Sequence, residues 1–238
     1  MQEEYGQAYE QLYEHHWWWR SRETLLLDVL EGLPLPPSVE VLDVGCGNGL
    51  FFPRLQRFGP VRGIEVDERL LDPAGPFRSR IFTKPLGAGE YDGWQFGLIT
   101  ALDVLEHIED DRAAARALGD MLEPGGHLVV TVPAFMSLWD THDKINQHYR
   151  RYSMSELRSL LEPVGTILQL RYWFHSLYVV KRAVAMLNRH RATTITQHRV
   201  PPTPLNALAA GFFRMETRML APLALPFGTS VVAVVRKR

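Results

Sequence analysis

The sequence predicts an α/β domain wound around a mostly parallel sheet with helices on both faces, and three observations carry that prediction. Short apolar runs recur at Val39–Val44, Val61–Val66, Gln95–Leu102 and His127–Val132. Helix-forming segments separate them, which is how parallel strands are joined and why such strands are apolar on both sides. A glycine-rich turn, Gly45-Cys46-Gly47-Asn48-Gly49, follows the first run. A chain of 238 residues holds one such domain with a small appendage.

Residues 3–31 read as helical. Tyr5, Tyr9 and Tyr13 fall at i, i+4 and i+8 and share one helix face, and Trp17-Trp18-Trp19 follows. Leu33-Pro34-Leu35-Pro36-Pro37 ends this segment, because proline removes a donor and restricts the residue before it. Residues 1–37 are therefore set apart as an N-terminal helical segment, and 38–238 form the main domain. After the first strand, Leu50–Phe58 reads as a helix and Val61–Val66 as the second strand. Glu68–Leu71 begins a helix that Asp72-Pro73 cuts short, and Arg80–Phe82 is a weak third strand. Gln95–Leu102 is the fourth. The alanine-rich Asp110–Leu122 reads as a helix stopped by Glu123-Pro124-Gly125-Gly126, before the fifth strand, His127–Val132. A long loop follows. Ser153-Met154-Ser155-Glu156 then matches a capping box that starts a helix ending near Glu162. Thr166–Tyr172 is a sixth strand, Phe174–Leu187 and Leu205–Met219 are amphipathic helices, Thr193–Pro204 is a loop between them, and Val231–Val235 is a last strand.

An apolar content of 46% with 22% charged residues excludes a disordered chain. The single cysteine, Cys46, excludes an internal disulfide framework and fits a reducing compartment, and the first residues hold no signal-peptide core. A cytoplasmic protein is expected. Leu205–Phe227 is interrupted by Arg214, Glu216, Arg218 and two prolines, so no spanning helix is expected. The net charge of −1 hides an asymmetry: residues 148–238 hold 14 Lys+Arg against 3 Asp+Glu, leaving 12 against 24 for residues 1–147. The basic third points to an anionic acceptor or to peripheral contact with an anionic membrane surface; solvated arginines on a cap are the alternative. No nucleic-acid-binding module is recognisable, and the sequence says nothing of oligomeric state.

Glycines let a backbone approach a ligand closely, and the helix after the turn presents free N–H groups to it. Glu65 lies 20 residues beyond Gly45, at the end of the second strand, where an acid can accept the hydroxyl hydrogens of a ribose. Together they specify a nucleoside-containing cofactor. A dinucleotide loop expects G-x-G-x-x-G, and here Leu50 occupies the third glycine's place. Asp43, two residues before Gly45, opposes a pyrophosphate and suits an ammonium. S-adenosylmethionine has an ammonium, a sulfonium and no phosphate.

Asp43-Val44-Gly45-Cys46-Gly47-Asn48-Gly49, Gly63-Ile64-Glu65, Ala101-Leu102-Asp103-Val104-Leu105-Glu106-His107 and Leu122-Glu123-Pro124-Gly125-Gly126 resemble the successive motifs of class I S-adenosylmethionine-dependent methyltransferases. The motifs span residues 39–132. The resemblance implies a Rossmann-like, doubly wound seven-stranded sheet with an antiparallel last strand, to which Val231–Val235 corresponds. It implies that Gly45, Cys46 and Gly47 line the methionine portion, that Glu65 and Val66 lie at the ribose, and that Leu102 and Asp103 lie near the sulfonium and amino-acid end. The family's usual adenine-binding acid after the third strand is missing: that region reads Phe82-Thr83-Lys84-Pro85-Leu86. His148-Tyr149-Arg150-Arg151-Tyr152 and His16-Trp17-Trp18-Trp19-Arg20 resemble signatures of a subset of the family whose acceptors are not defined.

The N-terminal segment is expected to lie over the cofactor, with Trp18 near the sulfonium through cation–π attraction and Arg20 on the cofactor carboxylate; packing of the tryptophans onto the sheet is the alternative. Residues 133–227 are expected to supply the acceptor pocket. His107, His142 and His148 are candidate general bases, because histidine titrates near neutrality. Asp143, Arg150 and Arg151 are candidate acceptor-binding residues, the arginines for a phosphate or carboxylate. The i, i+6 spacing of His142 and His148 matches no zinc pattern, so no metal is expected. The reading is methyl transfer from S-adenosylmethionine to a small or lipid-linked acceptor at oxygen or nitrogen. A nucleotide-dependent oxidoreductase and a non-catalytic cofactor-binding interaction module are the alternatives.

Overall fold

A computed structural model describes residues 10–87, 89–187 and 200–238. Tyr5 and Tyr9, and residues 193–199 of the expected loop, lie outside these. Seven strands form one sheet in the order β3-β2-β1-β4-β5-β7-β6: β1 Val41–Val44, β2 Val61–Ile64, β3 Ile81–Phe82, β4 Phe96–Leu102, β5 Leu122–Pro133, β6 Thr166–Trp173 and β7 Ser230–Arg236. β1 pairs in parallel with β2 and β4, and β4 with β5, whereas β7 runs antiparallel between β5 and β6. The expected fold, including the reversed last strand, is the one observed.

Alternation along the strands divides the core. Leu42, Val44, Ile99, Ala101, Val130 and Ala233 face one layer, α3 (Asp111–Asp120) and α5 (Met154–Leu161). Val41, Leu98, Val129 and Val232 face the other, where α1 (Trp17–Glu31) lays down Leu25, Leu26, Val29 and Leu30. Caps set the helix starts. Asp110 accepts from the Ala113 N–H at 2.9 Å to open α3, and Ser153 and Glu156 form both bonds of the predicted capping box at α5.

Three elements depart from expectation. The helix read over Leu50–Phe58 contracts to α2, Phe52–Leu55, because residues 46–52 are spent on turns: Gly49 N–H bonds to Cys46 O and Phe52 N–H to Gly49 O. Glu68–Leu70 is a single 3-10 turn. The loop after β5 contains α4, Thr141–Ile145, nucleated by a second capping box between Asp140 and Asp143. The last two helices are α6, His175–Leu187, and α7, Thr203–Leu220. Trp17 stacks on Phe213 with ring centroids 4.6 Å apart, and its N–H bonds to Asn206, so α1 and α7 form one layer near the carboxyl ends of the strands.

Candidate cofactor and acceptor site

Between β1 and β4 the chain's winding reverses, and in open parallel sheets ligands bind at such a point beyond the carboxyl ends of the strands. The glycine turn leaves β1 there. Gly45 has φ +69°, and a Cβ on it would lie 2.5 Å from Val104 Cγ2, so only glycine lets the turn pass the loop after β4. Gly47 has φ +52°, and a Cβ on it would meet nothing within 4 Å: this side of the turn faces open space. Glu65 accepts from Gly47 N–H at 3.0 Å and from Asp67 N–H at 2.8 Å, and burial raises its pKa. Asp43 is buried at 3% exposure and accepts from Thr100 Oγ1 at 2.6 Å. Burial, with a contribution from the Glu65 charge, raises its pKa to about 7, against the opposing effects of Thr100 and Arg22. A narrow cleft opens here, walled by Asp43, Gly45, Cys46 and Leu102 on the sheet side and by Trp19 and Arg22 of α1. Arg22 is itself buried. It pairs with Asp103 at 2.8 Å, donates to Thr131 Oγ1 at 2.7 Å, and lies 5.6 and 5.8 Å from the ring centroids of Trp18 and Trp19. Burial, and then the Asp43 and Glu65 charges, push the pKa of the Cys46 thiol far up.

The second polar group lies beyond β4 and β5. Asp143, fully buried, accepts from His148 Nδ1 at 2.8 Å, from Arg151 Nε and a terminal nitrogen at 2.8 and 2.9 Å, and from Asp140 N–H at 2.8 Å. Burial alone would raise its pKa, but the His148 and Arg151 bonds outweigh it and hold the carboxyl well below the usual range. Arg150 is tied to Asp111 at 2.8 Å, and Tyr152 donates to Asp111 at 2.9 Å and to Leu105 O at 3.2 Å. The His-x-Arg-Arg-Tyr stretch is thus clamped onto the segment after β4, and the product of the clamp is the placement of His148. Its ring stands perpendicular to that of His107, with centroids 4.5 Å apart. Burial and then the His148 charge lower the pKa of His107 to about 4, and burial does the same to His142. Glu106 is fully buried with neither carboxylate oxygen hydrogen-bonded; burial and then Asp103 push its pKa up. Donor atoms of Glu106, His107 and His148 come within 4.8 Å of one another, a grouping that the spacing of His142 and His148 did not anticipate.

A methyltransferase-domain family model matches residues 18–167, most of the chain and all of the cofactor cleft just described. The chain belongs to the class I S-adenosylmethionine-dependent methyltransferase family. Among curated relatives of this chain, the ubiquinone biosynthesis O-methyltransferase of Cupriavidus pinatubonensis is 27% identical over 135 residues, 49% of this chain and 53% of that one. The protein of the same name from Marinobacter nauticus is 34% identical over 105 residues, 38% and 42% of the two chains. The chain thus matches about half the length of these relatives. The crystal structure of N-methyltransferase NodS from Bradyrhizobium japonicum with S-adenosyl-L-homocysteine superposes with TM-score 0.56 at 18% identity, covering 95% of this chain and 90% of that one. The TehB-like S-adenosylmethionine-dependent methyltransferase of Corynebacterium glutamicum does so with TM-score 0.56 at 19% identity, covering 99% and 97%. These likenesses establish the fold.

Of the ten expected cofactor residues, the cleft is walled by Asp43, Gly45, Cys46 and Leu102, with Gly47 and Glu65 joined beside it. Asp103 sits one step behind, held by Arg22. Val66 is 58% exposed at the rim. The N-terminal helix presents Trp19 and Arg22 to the cleft rather than Trp18 and Arg20: Arg20 points to solvent, and Trp18 packs edge-on against Trp19 at 4.7 Å. The missed arginine carried a signal. Arg22 lies on the helix face of Leu25, Leu26, Val29 and Leu30, extended back by one turn. Arg22→Met is therefore expected to cost about 2 kcal/mol in chemical denaturation, because Asp103 loses its charged partner, and to weaken S-adenosylmethionine binding. Arg20→Met changes neither; equal effects from both would refute this placement.

Proposed function

We propose that this chain transfers a methyl group from S-adenosylmethionine to a hydroxyl-bearing small or lipid-linked acceptor. The observation that supports it best is the pair of buried carboxylates, Asp43 and Glu65, set about a glycine turn whose Gly47 faces open space. The residues fit the cofactor: Glu65 holds the ribose hydroxyls, Asp43 the ammonium and Arg22 the carboxylate. Bound there, S-adenosylmethionine supplies an electrophilic methyl group. The chain then has to orient the acceptor, exclude water and take up one proton.

His148 is the base in this reading. Its bond to Asp143 places the ring proton on Nδ1 and leaves Nε2 as the basic nitrogen, while Asp143 stabilises the imidazolium that forms. His107 packs perpendicular to it as a neutral ring and shapes the acceptor's seat; His142, bonded to Asn146, lies one ring further out at 6.2 Å. Asp143, Arg150 and Arg151 hold this arrangement rather than the acceptor, and residues 133–227 form the rest of the acceptor pocket. The O-methyltransferase relatives support oxygen as the target; NodS, an N-methyltransferase of the same fold, keeps nitrogen as the second reading. Calorimetry against S-adenosylmethionine, S-adenosylhomocysteine and NAD tests the cofactor. Micromolar binding of the two sulfur ligands and none of NAD is expected, and absence of sulfur-ligand binding sinks the proposal.

A further inference from the structure

Two helices at the carboxyl edge of the sheet carry a feature that methyl transfer does not use. α7 buries one face, where Asn206, Ala210 and Thr217 are nearly inaccessible and Phe213 stacks on Trp17. Its other face is apolar as well: Leu205, Leu208, Phe212, Met215 and Met219, spaced by three and four residues, are 60, 72, 47, 55 and 67% exposed. α6 adds Val179, Val180, Met186 and Leu187, all more than half exposed. A surface helix needs one apolar stripe, and a second stripe left outside marks a contact surface. Among the described residues no helix is long and apolar enough to cross a membrane.

Charge says what covers the stripe. α6 and α7 carry Lys181, Arg182, Arg214 and Arg218; Lys181 is paired with Asp140 and Arg218 with Asp28, which leaves Arg182 and Arg214 without an acidic partner among the described residues, and the one acid of the two helices, Glu216, is buried with its carboxylate on Ser176. A second copy docked across a two-fold axis would set these cations against their own images. An anionic lipid surface complements both the stripe and the charge. We propose that the α6–α7 face docks on an anionic bilayer surface, with its outer apolar residues among the headgroups. Because α1 binds α7 through Trp17 and Asn206 and walls the cleft with Trp19 and Arg22, docking sets the cleft beside the lipid. This inference does not depend on the methyl-transfer reading.

Co-sedimentation of the full chain with vesicles tests it. With equimolar phosphatidylcholine and phosphatidylglycerol the protein is expected in the pellet, released as salt rises; with phosphatidylcholine alone it stays largely in the supernatant. Leu208→Asp with Phe212→Asp should lower vesicle affinity about tenfold or more, and Arg182→Glu should weaken binding to the anionic vesicles, both with an unchanged melting temperature and unchanged S-adenosylmethionine affinity. Two results overturn the proposal. One is full-length protein that ignores anionic vesicles. The other is a concentration-dependent dimer, dissolved by Leu208→Asp with Phe212→Asp, in place of vesicle binding.

Discussion

The affinity of this chain for S-adenosylmethionine is expected to fall about tenfold for each pH unit below 7, and Asp43→Asn is expected to abolish that dependence. Burial raises the Asp43 pKa to about 7, so below that pH the empty cleft holds a protonated carboxyl. An ammonium arriving beside it favours the ionised form, and binding must therefore expel the proton. Above pH 7 the carboxylate is already formed and the curve is flat until about pH 8, where the ligand's own α-amino group starts to deprotonate. The sign for stability is opposite. A folded pKa above the unfolded value means that the empty protein binds more protons than the unfolded chain, so its stability declines as pH rises from about 4 to 7; saturating ligand offsets that decline. Asp43→Asn keeps the shape and loses the charge, which should weaken binding about 10- to 100-fold at pH 7.5, the range for a charge-assisted hydrogen bond. Isothermal titration across this range, for the wild type, Asp43→Asn and Glu65→Gln, reads the effect directly. A wild-type affinity that does not change between about pH 5.5 and 7 would show that the proton sits elsewhere.

The parts of this molecule legible in the sequence are those encoded locally. The strand positions and the capping box at Ser153 follow from stretches a few residues long, and so do the glycine turn and its acid Glu65; the reversed last strand came with the family resemblance. What escaped is set by partners far apart in the chain. Arg22 faces the cleft because Asp103 and Thr131 fix it there, 81 and 109 residues away in sequence. Trp17, which reads as one of three equivalent tryptophans, is taken by Asn206 and Phe213, while Trp19 lines the cleft. The Arg150-Arg151 pair reads as a site for an anionic acceptor because arginine geometry suits phosphate and carboxylate alike. In the fold the carboxylates it meets are the protein's own, Asp111 and Asp143. The chemistry of the residues was readable; the identity of the carboxylate needed the tertiary structure.

That identity gives the second large effect. Asp143→Ala is expected to cost about 3–5 kcal/mol in chemical denaturation, because it strands the Arg151 guanidinium in a site where neither side chain has appreciable exposure. Adding Arg151→Met should restore a good part of the loss, since removing both charges of a buried pair costs less than removing one. If the double variant instead shows the sum of the two single losses, the pair is not coupled and the clamp has been misread. The carboxyl's depressed pKa fixes the pH window as well: its contribution is complete above the unfolded value near 4 and is lost as pH falls below it, so acid unfolding of the wild type should begin there. Asp143→Asn separates the clamp's two roles. It lies away from the cofactor cleft and should leave S-adenosylmethionine affinity unchanged, yet it removes the negative charge that holds the His148 proton on Nδ1 and would stabilise the imidazolium. Once an acceptor is in hand, kcat should therefore fall about 10²- to 10⁴-fold, and raising the pH should recover part of the rate with an acceptor hydroxyl that ionises without help. A variant that unfolds at lower denaturant but turns over normally would leave Asp143 a structural anchor and take His148 out of the chemistry.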